Sequence, residues 1–155
     1  MNFTKCAEDI HVKCHKRLNI IKILSHKSWH LTAETIRNVY FSLIRSILDY
    51  AAVIYDLLCE TKKQDFRSIQ YHALRAAYRK PLKFSHKELL IISKTDSIDE
   101  RVKKLNEKYF QNCFLCKNEM VLETIKKYFN WYSDNKDSKF KTILCNYRDK
   151  IKTFR

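Results

Sequence analysis

A chain of 155 residues without a single glycine lacks the residue that most readily takes positive φ. Two-residue hairpin turns depend on left-handed positions, and loops that cradle phosphates need a backbone bare enough to approach the ligand. A Gly-rich nucleotide-binding loop is therefore excluded. Helices joined by turns of Asn, Asp and Ser remain open to such a chain. Its one proline, Pro81, leaves long stretches on either side uninterrupted.

The apolar pattern takes up that option. Cys6, Ile10, Cys14, Leu18, Ile21 and Leu24 share one face of a first helix. Ser28-Trp29 and His30 interrupt the pattern; Thr32 is then placed as an N-cap, with Glu34 in the first turn to meet the helix dipole. From Ile36 through Val39, Tyr40, Leu43, Ile44, Ile47, Leu48, Ala51, Ile54 and Tyr55 to Leu58, apolar residues recur at three and four, which predicts one long amphipathic helix. Thr61-Lys62-Lys63-Gln64 reads as a capping box opening a third helix, with Phe66, Ile69, Ala73, Leu74 and Ala77 as its buried stripe and Pro81 at its end.

Two further capping boxes, Ser85 to Glu88 and Ser97 to Glu100, open a short and a longer helix. The longer one places Ile98, Val102, Leu105, Tyr109, Cys113 and Cys116 inward. Val121, Ile125, Tyr128, Phe129 and Tyr132 continue the helical pattern. Ser133 to Ser138 is a polar break, and Phe140, Ile143, Leu144, Tyr147 and Ile151 predict a last helix. The expectation is an all-α helical bundle of about six or seven helices. Residues 1–132 form its main helical domain, and residues 133–155 hold the polar break and a basic C-terminal helix.

Charge points to a partner. Lys and Arg outnumber Asp and Glu by 31 to 17, a formal net charge of +14, and a field of that size concentrates polyanions around the chain. Lys13, Lys16, Arg17 and Lys22 make the first helix basic, with Arg17 beside the apolar arc, where it either snorkels or pairs across an interface. In the third helix Arg67, Tyr71, Arg75 and Arg79 stand four apart, in one stripe opposite the buried face. Guanidiniums grip phosphates with two hydrogen bonds at once, and a tyrosine offers a ring or a hydroxyl to base or sugar. Only Asp65 lies close in sequence to neutralise the stripe, and Lys80, Lys83 and Lys87 extend it. The pattern predicts a phosphate-contacting face.

Other chemistries find little support. A two-metal centre needs closely placed carboxylates, and no such cluster is visible; nor is a Ser/His/Asp or Cys/His arrangement. Cys113-x-x-Cys116 has no second Cys or His pair at zinc spacing and lies on an inward helix face, so no cofactor or metal is expected. Six cysteines in a chain able to build its own core read as free thiols in a reducing compartment, nuclear or cytoplasmic. The longest apolar run, Ala51 to Tyr55, is far below the ~18 residues of a membrane span.

Several segments share a further pattern. Cys14-His15-Lys16-Arg17-Leu18-Asn19, Ser28-Trp29, Leu43-Ile44-Arg45-Ser46-Ile47-Leu48-Asp49-Tyr50 and Tyr55 together resemble the region just after the palm in non-LTR retrotransposon reverse transcriptases of the jockey type. Ile69-Gln70 and Ala73-Leu74-Arg75 fit the next block of that pattern, and Arg101, Leu105 and Lys108-Tyr109 its later continuation. The better match runs from about Cys14 to Lys80, with a looser tail to about Trp131. Where the family pattern has glycine after Trp29, Tyr50 and Tyr55, this chain has His30, Ala51 and Asp56.

The resemblance implies a thumb-like bundle and linker that grips an RNA–DNA hybrid beside a palm domain encoded upstream. It assigns nucleic-acid contact to the basic first helix and to Arg67, Arg75 and Arg79, and no chemistry of its own, since the aromatic-Ala-Asp-Asp turn of the palm is missing. A thumb without a palm is expected to be a fragment of a retroelement polymerase. The alternative is a stand-alone basic helical module that binds nucleic acid or a protein partner.

Overall fold

The computed structural model describes residues 3–115, 119–134 and Tyr147, and every regular element among them is helical. In chain order these are α1 (Phe3–Leu24), a 3-10 turn (Lys27–Trp29), α2 (Ala33–Tyr40), a π-helical segment (Phe41–Arg45), α3 (Ser46–Tyr50), α4 (Ala52–Asp56), α5 (Glu60–Ala77), α6 (His86–Ser93), α7 (Ile98–Leu115) and α8 (Glu119–Asp134). The all-α expectation holds. The chain divides into two compact units, Met1–Val102 and Lys103–Arg155. The helix expected from Phe140 to Ile151 lies, but for Tyr147, outside the described residues.

The first unit is organised around α1 and α5, and three contacts fix how they run. Lys62 Nζ meets Glu8 Oε1 at 3.2 Å, the rings of His11 and Phe66 meet edge to face at 5.9 Å, and Arg79 Nε donates to the Ser25 carbonyl at 3.1 Å. Each pair is separated by 54 or 55 residues. A constant offset from one end to the other means that the two helices are parallel and in register. Parallel neighbours need a long return, and the path through α2, α3 and α4 supplies it. Cys14, Leu18 and Ile21 of α1 and Phe66, Ile69, Ala73, Leu74 and Ala77 of α5 are buried, as their spacing predicted, whereas Cys6, expected on the same face of α1, is exposed and its neighbour Ala7 is buried instead. Each large apolar side chain among them contributes roughly 1.5–3 kcal/mol of transfer free energy.

The helix expected from Ile36 to Leu58 is interrupted twice. A row of buried residues along it, Ile36, Tyr40, Ile44, Leu48 and Ala52, is spaced by four, with Arg45, Ala51 and Tyr55 buried beside it. In a straight α-helix each four-residue step drifts about 40° around the axis, so the stripe would leave the core. The π-helical segment, with its wider turn, takes up part of that drift between Phe41 and Arg45. It also turns Arg45 inward, to 4% exposure. A second break falls at Ala51, whose φ of −88° and ψ of 12° separate α3 from α4.

Helix ends account for other differences. Thr32 caps α2, accepting from the Thr35 amide at 3.2 Å. The Ser97 box forms in full: Ser97 Oγ accepts from the Glu100 amide at 3.2 Å and Glu100 Oε2 from the Ser97 amide at 3.1 Å. The Thr61 box does not, because α5 starts earlier, with Cys59 as N-cap and the Lys63 amide bonded to its carbonyl. Ser85 occupies the N-cap of α6 without a side-chain cap bond.

With no glycine available, His30, Arg79 and Lys94 take the left-handed positions, at φ of 49°, 51° and 48°. On α7 the inward residues are Ile98, Val102, Asn106 and Phe110, four apart, whereas Tyr109, expected inward, is exposed. In the second unit Phe110 and Tyr147 bring their rings within 5.4 Å.

Candidate nucleic-acid interface

The stripe on α5 that the sequence offered to phosphates is largely engaged with the protein itself. Arg67 Nε and Nη2 donate to the two carboxylate oxygens of Asp99 at 2.7 and 2.8 Å, and its Nη1 also pairs with Glu60. Tyr55 donates its hydroxyl to Asp99 Oδ1 at 2.8 Å. Burial alone would raise the Asp99 carboxyl, but the hydrogen bonds from Arg67 and Tyr55 and the Arg67 charge outweigh it and hold the group below the usual carboxylate range. Arg67 is correspondingly more firmly charged than a free arginine. Tyr71 gives its hydroxyl to the carbonyls of Leu82 and Phe84, at 2.7 and 3.0 Å, and so holds the turn after α5. Arg79 closes the carbonyls of Ser25 and Leu31, at 3.1 and 3.3 Å. These three side chains are therefore structural ties rather than a solvated phosphate-facing row.

Arg17, beside the apolar arc of α1, bonds across to the Leu43 carbonyl at 2.7 Å. That carbonyl lies within the π-helical segment, where the α-helical ladder is disturbed. Arg45, Asp49 and Arg101 form a second tie, with Arg45 Nε at 3.3 Å from Asp49 Oδ1 and Arg101 Nη2 at 2.9 Å from Asp49 Oδ2. Asp49, Glu60 and Asp99 are thus held by arginines, while Glu8 pairs with Lys62.

What remains toward solvent is lysine. Lys13, Lys16, Lys22 and Lys83 are exposed, and none of them makes an ion pair among the described residues. Lys80 is half-buried, its Nζ 5.2 Å over the Phe84 ring. Lys13 and Lys16 share the outer arc of α1 with Val12, Ile20 and Ile23, apolar residues 50%, 45% and 60% exposed. Lys22 lies on another flank, toward α5.

The fold brings Lys22 and Arg75, two residues that the sequence assigns to separate helices, to bear on the same ring, that of His72. The register of α1 on α5 places both near the C-terminal end of the seam, where Arg79 reaches Ser25. His72 and His15 join them. Burial first, and then the charges of Arg75, Lys22 and His15, push the His72 ring below the usual histidine range. Arg75 Nε is buried and meets no acceptor. The opposite end of the seam has a different character. It opens as a shallow groove of about 90 Å³ whose lining includes Glu8, Asp65 and Lys62, so both signs of charge are present there.

Sequence reasoning missed Glu60, His15 and His72. Glu60 was legible, since it stands seven residues before Arg67, two turns along the same face. The histidines carried no signal until α1 and α5 were in register. Among the described residues no three His, Cys, Asp or Glu side chains converge as metal ligands would, and Cys116 lies outside them. No helix among them is long and apolar enough to cross a membrane. Set against protein-family models, curated proteins and solved structures, the chain finds no match in any of the three.

Proposed function

We propose that this chain is a non-catalytic module that holds nucleic acid through its phosphates, the thumb and linker part of a non-LTR retroelement RNA-directed DNA polymerase. One observation carries the reading: acids are tied to Arg45, Arg67 and Arg101, while Lys13, Lys16, Lys22 and Lys83 stay exposed and without ion pairs. A surface of this kind attracts a polyanion by charge and reads no base sequence. The resemblance from Cys14 to Lys80 supplies the particular polyanion, an RNA–DNA hybrid, and the palm domain that would act on it. The reading of its cysteines as free thiols suits a reducing compartment, nuclear or cytoplasmic.

The test is direct binding of fluorescent duplexes across a salt series. The expected result is salt-steep binding with an RNA–DNA hybrid preferred over duplex DNA and duplex RNA. Absence of binding to all three at low salt overturns the reading.

A second reading draws on the outer arc of α1, where Val12, Ile20 and Ile23 are exposed beside Lys13 and Lys16. Apolar and basic residues on one arc suit an acidic amphipathic helix of a protein partner. Substituting Val12 and Ile23 by Ser separates the two, since that change leaves phosphate binding intact and abolishes a protein contact.

A further inference from the structure

The C-terminal end of the α1–α5 seam gathers Lys22, His72 and Arg75, with His15 two turns back from Lys22 on α1, and neither Lys22 nor Arg75 is ion-paired among the described residues. Two helices end there, and their terminal carbonyls favour nearby cations. Lys22 and Arg75 are the last-turn cations of α1 and α5, and Arg79, just past the end of α5, closes the carbonyls of Ser25 and Leu31. The Arg75 Nε is buried and makes no hydrogen bond, so no internal acceptor holds the guanidinium through that atom.

We infer that this end of the seam is a pH-dependent site for one phosphate group, gripped by Lys22 and Arg75 and by His72 once it is protonated. The inference deepens the nucleic-acid reading and rests on it for the source of the phosphate, a backbone diester rather than a free anion. Before binding, partial burial and then the neighbouring cations keep His72 neutral more readily than an exposed histidine. An anion between them reverses that balance and draws a proton onto the ring. Binding then takes up a proton, so affinity rises as pH falls, by at most roughly tenfold per pH unit. The charged groups bearing on His72 are all of one sign: Arg75 from α5, and Lys22 and His15 from α1. The Tyr71 ring, at 5.3 Å, adds no charge.

The experiment is an NMR titration of the histidine rings in the full chain, with and without dimethyl phosphate, a diester whose own charge is constant over this range. His72 is expected to titrate at higher pH with the diester present, while the exposed His26 and His30 hardly move. Lys22→Gln and Arg75→Gln, each checked for native helicity, are expected to abolish the displacement. An indifferent His72 in the unsubstituted protein overturns the inference, as does an equal displacement of all the histidines. A short RNA–DNA hybrid then separates the two levels. If the hybrid binds salt-steeply while His72 stays silent, the site fails and the nucleic-acid reading stands. If dimethyl phosphate moves His72 but no duplex binds at low salt, the nucleic-acid reading fails, and with it the assignment of the phosphate to a backbone.

Discussion

Arg67 and Asp99 face each other as a fork, Nε to Oδ2 at 2.7 Å and Nη2 to Oδ1 at 2.8 Å, and so join the middle of α5 to the first turn of α7. Asp99 also sits where the α7 dipole favours a negative charge. One carboxylate thus meets a helix dipole, takes the Tyr55 hydroxyl and pairs with an arginine.

The Asp99 carboxyl titrates below its ordinary value, so its contribution has a definite pH window. The stabilisation is complete above the unfolded carboxylate pKa, near ~3.9, and is lost as pH falls through the lower folded value. Asp99→Asn is expected to cost roughly 1 kcal/mol at neutral pH, a figure already trimmed for the partial exposure of the pair. Urea melts of both proteins should differ at pH 7 and converge toward pH 2. A gap that persists in acid contradicts the linkage.

Lys94 ends α6 at φ 48° and ψ 46°, a conformation that costs a residue with a Cβ roughly 1 kcal/mol or more. Its side chain makes no described contact, and the bonds that close the helix, from the Lys94 and Thr95 amides to Ile91 and Leu90, are backbone bonds. Lys94→Gly is therefore expected to stabilise the protein by about 0.5–1 kcal/mol, read as a higher urea midpoint at unchanged slope. Arg79→Gly at the equivalent position of α5 should gain nothing net, because it also removes the bonds to Ser25 and Leu31.

Gln70 is fully buried, donating to the Asp96 carbonyl at 2.9 Å and accepting from the Ile98 amide at 3.1 Å. The Asp96 carbonyl has a second donor in Arg45, at 3.3 Å, but the Ile98 amide opens a helix and has no intrahelical acceptor. Gln70→Leu keeps the volume and removes that acceptor, at an expected cost of about 1–3 kcal/mol. Hydrogen exchange should show the first turn of α7 losing protection before α5 does. Equal loss in both helices would mean that Gln70 acts by packing alone.

The fold was legible where one physical signal acted alone. The apolar stripe of α5, that of α1 from Cys14 onward, the Thr32 cap and the Ser97 box depend on local spacing, and they stand as the spacing implies. The π-helical segment was not legible, because a four-residue repeat and a mixed three-and-four repeat look alike until drift is counted over several turns. The partners of the basic stripe were not legible, for a different reason. Arg67, Tyr71 and Arg75 lie on one line of α5 and Arg79 just past its end, but the acid that meets Arg67 is 32 residues away and the carbonyl that meets Arg79 is 54 residues away. Spacing along one helix says which side chains share a face and nothing about what is folded against that face.

That distinction gives the sharpest test of where nucleic acid would touch. Lys13→Ala with Lys16→Ala removes two exposed charges that take part in no described fold contact, whereas Arg67→Ala breaks the tie to Asp99 and Glu60. Each lysine that neutralises a phosphate contributes about 0.7–0.9 to the slope of log affinity against log salt. The lysine pair is therefore expected to lower that slope by roughly 1.5 while leaving the urea midpoint unchanged. Arg67→Ala is expected to do the reverse, lowering the midpoint and leaving the slope of the folded protein as it was. If Arg67→Ala instead flattens the slope and the lysine pair does not, the interface lies on α5 after all, and the Asp99 pairing must open when nucleic acid binds.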